Sequence, residues 1–282
     1  MIRTLVFCEA PADFETVSEL VERVLREEGP AWLQDLLEGS PDWARQLHDW
    51  IPAGERQAFF DLHKLRELAR GLGVRAPQGH FGGQPGEAGA LMARTAFLVV
   101  RELARRGTAV DAVLLVWDMD DQGQARRRGL EQARKEALRI DPRVIILGCP
   151  DPMREAWALA GFEPETDAEK ARLAELRQEL GFPPCHEAHR LSAKKEQARR
   201  SPKRVLHVLT EGEHEREARC WRMTPLQVLR ARGKDSGLVA FLGDVASEAD
   251  TALQSDSGTV VIAAHLKAAS PVLRSARWRR TP

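Results

Sequence analysis

Two short runs limit what this chain can fold into more than any other feature. Val113 to Trp117 (VLLVW) and Val144 to Leu147 (VIIL) are apolar at every position and of strand length. Strands covered on both faces look like this, because neither side of the pleat meets water. Thr4 to Cys8 (TLVFC) is a third run, rich in β-branched and aromatic residues. Helical patterns lie between them. Val17, Leu20, Val21, Val24 and Leu25 share one face, as do Leu91, Thr95, Leu98, Val99 and Leu103, and a further helix is expected from about Gln124 to Arg139. Strands alternating with helices are βαβ units. The expected fold class is therefore α/β, a Rossmann-like, mainly parallel sheet with helices on both faces.

This α/β domain is expected over residues 1–160. Residues 31–73 carry Trp, Leu and charge at helical spacing without a strand signal, and read as a helical insertion. Val74 to Glu87 (VRAPQGHFGGQPGE) is a loop by composition. Residues 161–253 read as a mostly helical extension. It includes a charged helix from Ala168 to Leu180, a polar basic connection over 181–202, a helix opened by Pro202, and another within Ser236 to Leu253. The tail, 254–282, mixes VVIAAHL with a basic end and is expected to be either poorly ordered or not native.

Lys plus Arg and Asp plus Glu each number 42, so no global basic field advertises a polyanion partner. A nucleic acid would need a local patch, and His189 to Arg204 (HRLSAKKEQARRSPKR) is the basic run available for one, although a solvated face is its commoner meaning. No apolar run approaches the roughly 18–20 residues of a membrane span, and the start of the chain lacks a signal-peptide layout. No membrane association and a cytoplasmic location are expected. The four cysteines, Cys8, Cys149, Cys185 and Cys220, are scattered as reduced thiols would be.

Acidic residues follow two of the strands. Glu9 comes directly after the first, with Asp13 four residues on, near the start of a helix. Asp118 and Asp120 follow the Val113 run, and in an extended segment both would point the same way while Met119 turns to the other face. Open parallel sheets bind ligands outside the carboxyl ends of their strands. Carboxylates gathered there repel one another and call for a cation, and hard oxygen donors favour Mg²⁺ or Mn²⁺. Taken singly, Asp13 is also a good helix cap and the Asp118 to Gly123 run a plausible turn. Glu155 follows the next strand and is either a fifth carboxylate or a residue favoured by a helix N-terminus.

The pattern FCEAPADFETV, followed about a hundred residues later by LLVWDMDDQG, resembles the TOPRIM domain over residues 1–160. That signature is a Glu after the first strand and a DxD pair after a later one. Ala10 departs from it, since a Gly commonly follows the Glu. The stretch Asp151 to Ala160, then Ser201-Pro202-Lys203, then Gly237 to Leu242, is similar to an uncharacterised bacterial TOPRIM-like family encoded beside ATPases, and to OLD-type nucleases of anti-phage defence.

The resemblance implies a metal-binding nuclease, a hydrolase acting on DNA or RNA in antiviral defence, with an ATPase partner and a possible homo-oligomer. Glu9, Asp13, Asp118, Asp120 and Glu155 would be the metal ligands. Glu9, Asp118 and Asp120 would also be catalytic, with Lys203 stabilising charge at the scissile phosphate. A non-catalytic partner of an ATPase and an aspartate-nucleophile phosphohydrolase are the competing readings. The last normally carries its DxD after the first strand. Weaker features are the Gly79 to Gly83 loop with His80, a candidate phosphate contact, and the zinc-ligand types Cys185, His186, His189, His214 and Cys220, whose spacing fits no common zinc module.

Overall fold

The computed structural model describes residues 2–29, 48–55, 57–192 and 195–254. The tail beyond 254 and the first part of the expected helical insertion, 30–47, lie outside the described residues. A parallel sheet has the order β2-β1-β4-β5, made from β1 (Ile2–Cys8), β2 (His48–Trp50), β4 (Ala112–Val116) and β5 (Val144–Gly148). A two-residue strand, β3 (Phe60–Asp61), pairs with Phe7 and Cys8 at the carboxyl end of β1, beyond the stretch that β2 occupies.

Continuous apolarity in β4 and β5 follows from two separate cores. Val6, Cys8, Leu114, Val116 and Ile146 face one, while Leu5, Phe7, Val113, Leu115, Ile145 and Leu147 face the other. The second face is covered by α2 (Leu65–Gly71), α3 (Ala90–Arg105) and α4 (Gly123–Leu138). The first is covered by α1 (Pro11–Glu28), α5 (Glu155–Gly161) and α10 (Leu238–Gln254). Around α5, buried along Ala156 to Gly161, stand α7 (Pro202–Thr210), α8 (His214–Arg222) and α9 (Leu226–Arg232), and α6 (Asp167–Leu180) packs against α7. A helix without a polar face has to be surrounded in this way.

Local sequence explains most boundaries. Pro11 and Pro202 begin α1 and α7, Thr166 and Glu169 form a reciprocal capping box on α6, and left-handed Gly181 closes it. Gly129 lets α3 and α4 meet, because a Cβ there would overlap the Ala88 carbonyl oxygen.

The expectation of an all-helical insertion is corrected by β2 and β3. Neither is long enough to show a period of two. They form because β1 would otherwise leave a row of unpaired backbone groups at the sheet edge. His48 Nε2 lies 2.8 Å from Thr4 Oγ1, and Ile51 N donates to Thr4 O at 2.8 Å, which fixes the pairing from outside the strand's own sequence.

Candidate functional site

The carboxyl ends of β1, β4 and β5 open onto one crevice. At its β1 side, Pro11 starts α1 two residues after Glu9, so Asp13 is the third helical residue. Its Oδ2 accepts from Glu9 N at 3.2 Å and Ala10 N at 2.9 Å. This is the return half of a capping box, and Asp13 is thus a cap as well as a crevice acid. Burial raises its pKa, which the charge of Arg154 and the two amides counter.

The chain beyond β4 stays paired with the chain beyond β5. Trp117 N donates to Gly148 O, Met119 N to Pro150 O and Asp120 N to Pro152 O, at 2.9, 2.8 and 2.8 Å. This ladder holds Asp118 in the crevice floor, where its Oδ1 accepts from Arg154 N at 3.0 Å. Burial first, then the charges of Asp13, Glu155 and Glu9, push the Asp118 carboxyl up to about 8. Glu9 is raised too, by burial and by the charges of Asp13 and Asp120, while His63 and Arg126 act against the rise. His63 Nε2 stands 3.7 Å from Glu9 Oε1.

Asp118 and Asp120 do not project together, which corrects the extended DxD expectation. Asp120 has φ of 49°, a left-handed conformation that swings its Cβ out of the strand register. Its carboxylate is paired instead with Arg126 Nη1 at 3.0 Å. Met119 is fully buried, as its apolar character requires.

Two arginines shape the crevice, and sequence reading missed both. Arg126, on the first turn of α4, also donates to the Asp118 carbonyl oxygen and lies over the Trp117 ring at 4.5 Å. Arg154 is buried at the start of α5. Its guanidinium meets Asp13 at 3.7 Å, Glu155 at 3.4 Å, Glu217 of α8 at 2.7 Å and Thr16 Oγ1 at 3.3 Å. The signal for Arg154 was present: a lone cation opening a helix as apolar as EAWALAG must bury with partners. Arg126 carried no such mark, standing in the run Arg126-Arg127-Arg128.

The structure brings Glu9, Asp13 and Glu155 into electrostatic reach of Asp118, with Asp120 in reach of Glu9. Lys203 is exposed on α7, and no hydrogen bond or ion pair among the described residues joins it to these acids. The Gly79 to Gly83 loop is tied down by Arg94, which donates to the carbonyl oxygens of Pro77 and His80, pairs with Glu136 and covers the Phe81 ring. Of this loop only Phe81 is buried, and Gly79, His80, Gly82 and Gly83 are exposed. The zinc-type residues form no chelating group among the described residues: His214 pairs with Glu15, and the buried Cys185 and Cys220 thiols, though near enough for Cys185 to act on Cys220, are pushed up to about 12 chiefly by burial. In the basic run, Arg190 is paired with Glu187, and Arg199 and Arg204 both reach Glu179.

Among the described residues no three His, Cys, Asp or Glu side chains already stand as a chelating group. The residue types are those a hard divalent cation takes, but their arrangement supplies no ready set of ligands. Asp118 is buried among three other carboxylates and is not ion-paired with either arginine, and Glu9 is partly open to solvent next to it. Glu9 and Asp118 are the residues that would hold such an ion, whereas Asp13 and Glu155 face Arg154, and Asp120 faces Arg126. No helix among the described residues is long and apolar enough to cross a membrane. No known family, curated protein or solved structure matches the chain.

Proposed function

We propose that this chain is a divalent-metal-dependent nuclease of TOPRIM type, hydrolysing phosphodiesters in DNA or RNA. The observation that carries the reading is the crowding of Glu9, Asp13, Asp118 and Glu155 at the strand ends, with Asp118 raised to about 8. A protein keeps such repulsion where a site needs it, since strongly perturbed carboxyls concentrate at functional crevices. Mg²⁺ or Mn²⁺, when bound, supplies water activation and charge stabilisation at phosphorus. Glu9 and Asp118 hold and orient that ion. Asp13 keeps the backbone of Glu9 and Ala10 fixed, so the Glu9 carboxylate is delivered from a rigid turn. Arg154 neutralises Asp13 and Glu155, so that both can be ionised side by side. By resemblance alone, the partner is an ATPase of a defence pair and the working form an assembly.

Incubation of the purified protein with supercoiled plasmid and with single-stranded RNA, in Mg²⁺ or in EDTA, tests the reading. Cleavage should require Mg²⁺ and fall at least about a hundredfold in Glu9→Ala and Asp118→Asn, the scale of losing a principal charge-stabilising group. Normal cleavage by both variants sinks it.

One observation favours a second reading, a non-catalytic binding partner of an ATPase. Arg126 and Arg154 already engage three of the five acids. Tight ATPase binding by a wild type that cleaves neither substrate would select it.

A further inference from the structure

We infer that the cleft between α3 and α4 binds a small apolar monoanion, an aromatic or short aliphatic carboxylate, with its body against Phe97 and Ile140 and its anionic group on Arg101. Val113 and Ile145 line the smaller part of this cleft, so it lies towards the amino ends of β4 and β5, away from the acidic crevice at their carboxyl ends. The inference stands apart from the nuclease reading.

The gap follows from which residues α4 turns towards α3. Gly129, Ala133 and Ala137 recur at every fourth position and so form one line down the helix. At Gly129 the backbones touch, since a Cβ there would overlap the Ala88 carbonyl oxygen. Further along, the methyls of Ala133 and Ala137 are too short to fill the space beside Phe97 and Leu98, and α4 ends at Leu138. What remains is a cleft of about 120 Å³ lined by Phe97, Leu98, Ala137 and Ile140, continued past Phe97 and Ala137 by a smaller one of about 20 Å³. An apolar cavity of about 150 Å³ admits benzene, so one aromatic ring or a chain of about six carbons suits the larger part. Ile140, on its wall, stands 57% exposed, apolar surface that a ligand would take out of water.

Charge selects the class of ligand. Arg94, Arg101 and Glu136 border the larger cleft, and Arg101, Asp141 and Arg143 the smaller. Arg94 is fully engaged, pairing with Glu136 at 2.6 Å and donating to the carbonyl oxygens of Pro77 and His80. Arg143 pairs with Asp141 at 2.9 Å. The neighbouring acid on α3, Glu102, is taken by Arg105 and Arg106, each at 2.7 Å. Arg101 is left exposed, with no hydrogen bond or ion pair among the described residues. Three arginines against two acids leave one positive charge uncompensated beside an apolar wall. A neutral ligand leaves it so and a cation is repelled, whereas a carboxylate meets the paired N–H donors of the guanidinium fork. Apolar lining with a single orienting charge is the usual make-up of a small-ligand site.

Titration with para-fluorophenylacetate, followed by fluorine NMR, tests the site against the neutral isostere para-fluorophenylacetamide. The acid should bind with a Kd of about a millimolar, the scale for a fragment of this size. It should bind about fivefold more tightly than the amide, the upper range for an exposed ion pair. That preference should vanish in R101Q and fade in high salt. A137F, which fills the cleft, should bind neither probe. Should A137F not fold, intermolecular NOEs in the wild type decide, with the ring protons of the acid reaching the methyls of Leu98 and Ile140. The site is overturned by no binding at millimolar probe, by equal binding of acid and amide, or by a preference that survives in R101Q. Binding kept by a folded A137F, or NOEs to other methyls alone, overturns it too. Nuclease activity and Mn²⁺ binding have no bearing on these outcomes.

Discussion

Replacing Asp118 by Asn should make the metal-free protein more stable, although it removes an ionisable group that accepts a hydrogen bond. The sign follows from its surroundings. The Asp118 carboxyl has an ordinary value of 3.8 in the unfolded chain and is raised to about 8 in the fold, by burial and by Asp13, Glu155 and Glu9. Below 3.8 both states are protonated and nothing is lost. As pH rises from 3.8 towards 8, the unfolded chain releases a proton that the folded one keeps, so folding becomes progressively less favourable. At pH 7 the ceiling on that loss is about 4 kcal/mol, at 1.36 kcal/mol per pH unit. Water entry and side-chain relaxation lower buried electrostatic terms, so about 1–3 kcal/mol is the working figure. Asn has no charge to suppress, and its carbonyl oxygen can still accept from Arg154 N. In EDTA at pH 7 the Tm of Asp118→Asn should exceed that of wild type by roughly 2–12 °C, using about 2–4 °C per kcal/mol for a chain of this size. The difference should shrink as pH falls from 7 to 4. Thermal unfolding followed by circular dichroism at four pH values reads both effects. A lower Tm for Asp118→Asn at pH 7, or a difference that does not change with pH, refutes the reasoning.

The remaining predictions concern the framework. Arg154→Met should cost about 3–5 kcal/mol at pH 7, because Asp13, Glu155 and Glu217 lose their common cation, and denaturant melts should show part of the loss recovered near pH 4.5, where carboxyls protonate. Gly129→Ala should cost at least about 2 kcal/mol in the same melts, since its methyl would overlap the Ala88 backbone where α3 and α4 meet. Glu169, held down to about 2 by Arg216 and by the Glu165 and Thr166 amides, adds stability above its ordinary value of 4.5 that is lost as pH falls towards 2; Glu169→Gln should flatten that acid limb of the pH–stability curve.

The contrast between what could and could not be read from sequence has physical causes. Val113 to Val116 and Val144 to Leu147 announced themselves because both faces of each strand are buried, so composition alone carried the information. The long helices α1 and α3 were legible for the complementary reason, each having one apolar stripe, while α6 was marked by its capping residues. His48–Trp50 and Phe60–Asp61 were not, since strands of three and two residues are defined by the edge they complete on β1. The short helices α8 and α9 fall within the region expected to be mostly helical but were not delimited there, each being only about two turns long.

Within the crevice, Glu9, Asp13, Asp118 and Glu155 could be anticipated from their positions after strands. The turn at Asp120 could not, because it depends on a left-handed φ and an ion pair with Arg126 rather than on strand alternation. Nor could the role of Arg154, whose partners come from α1, α5 and α8, segments far apart in the chain. Charge pairing across a fold leaves no periodic trace, and this is why the acids were easier to find than the cations that govern them.

Titration of Mn²⁺ into the protein, with the free ion followed by electron paramagnetic resonance, is the most direct measurement of the claim that these carboxylates form a metal centre. Wild type should bind the ion stoichiometrically, and Glu9→Ala and Asp118→Asn should each weaken binding by at least about tenfold, or 1.4 kcal/mol. Glu15→Ala, an acid on the same helix as Asp13 that is paired with Arg222 and His214 instead, should bind as wild type does. Equal affinity in all four proteins, or no binding by the wild type, would contradict the account.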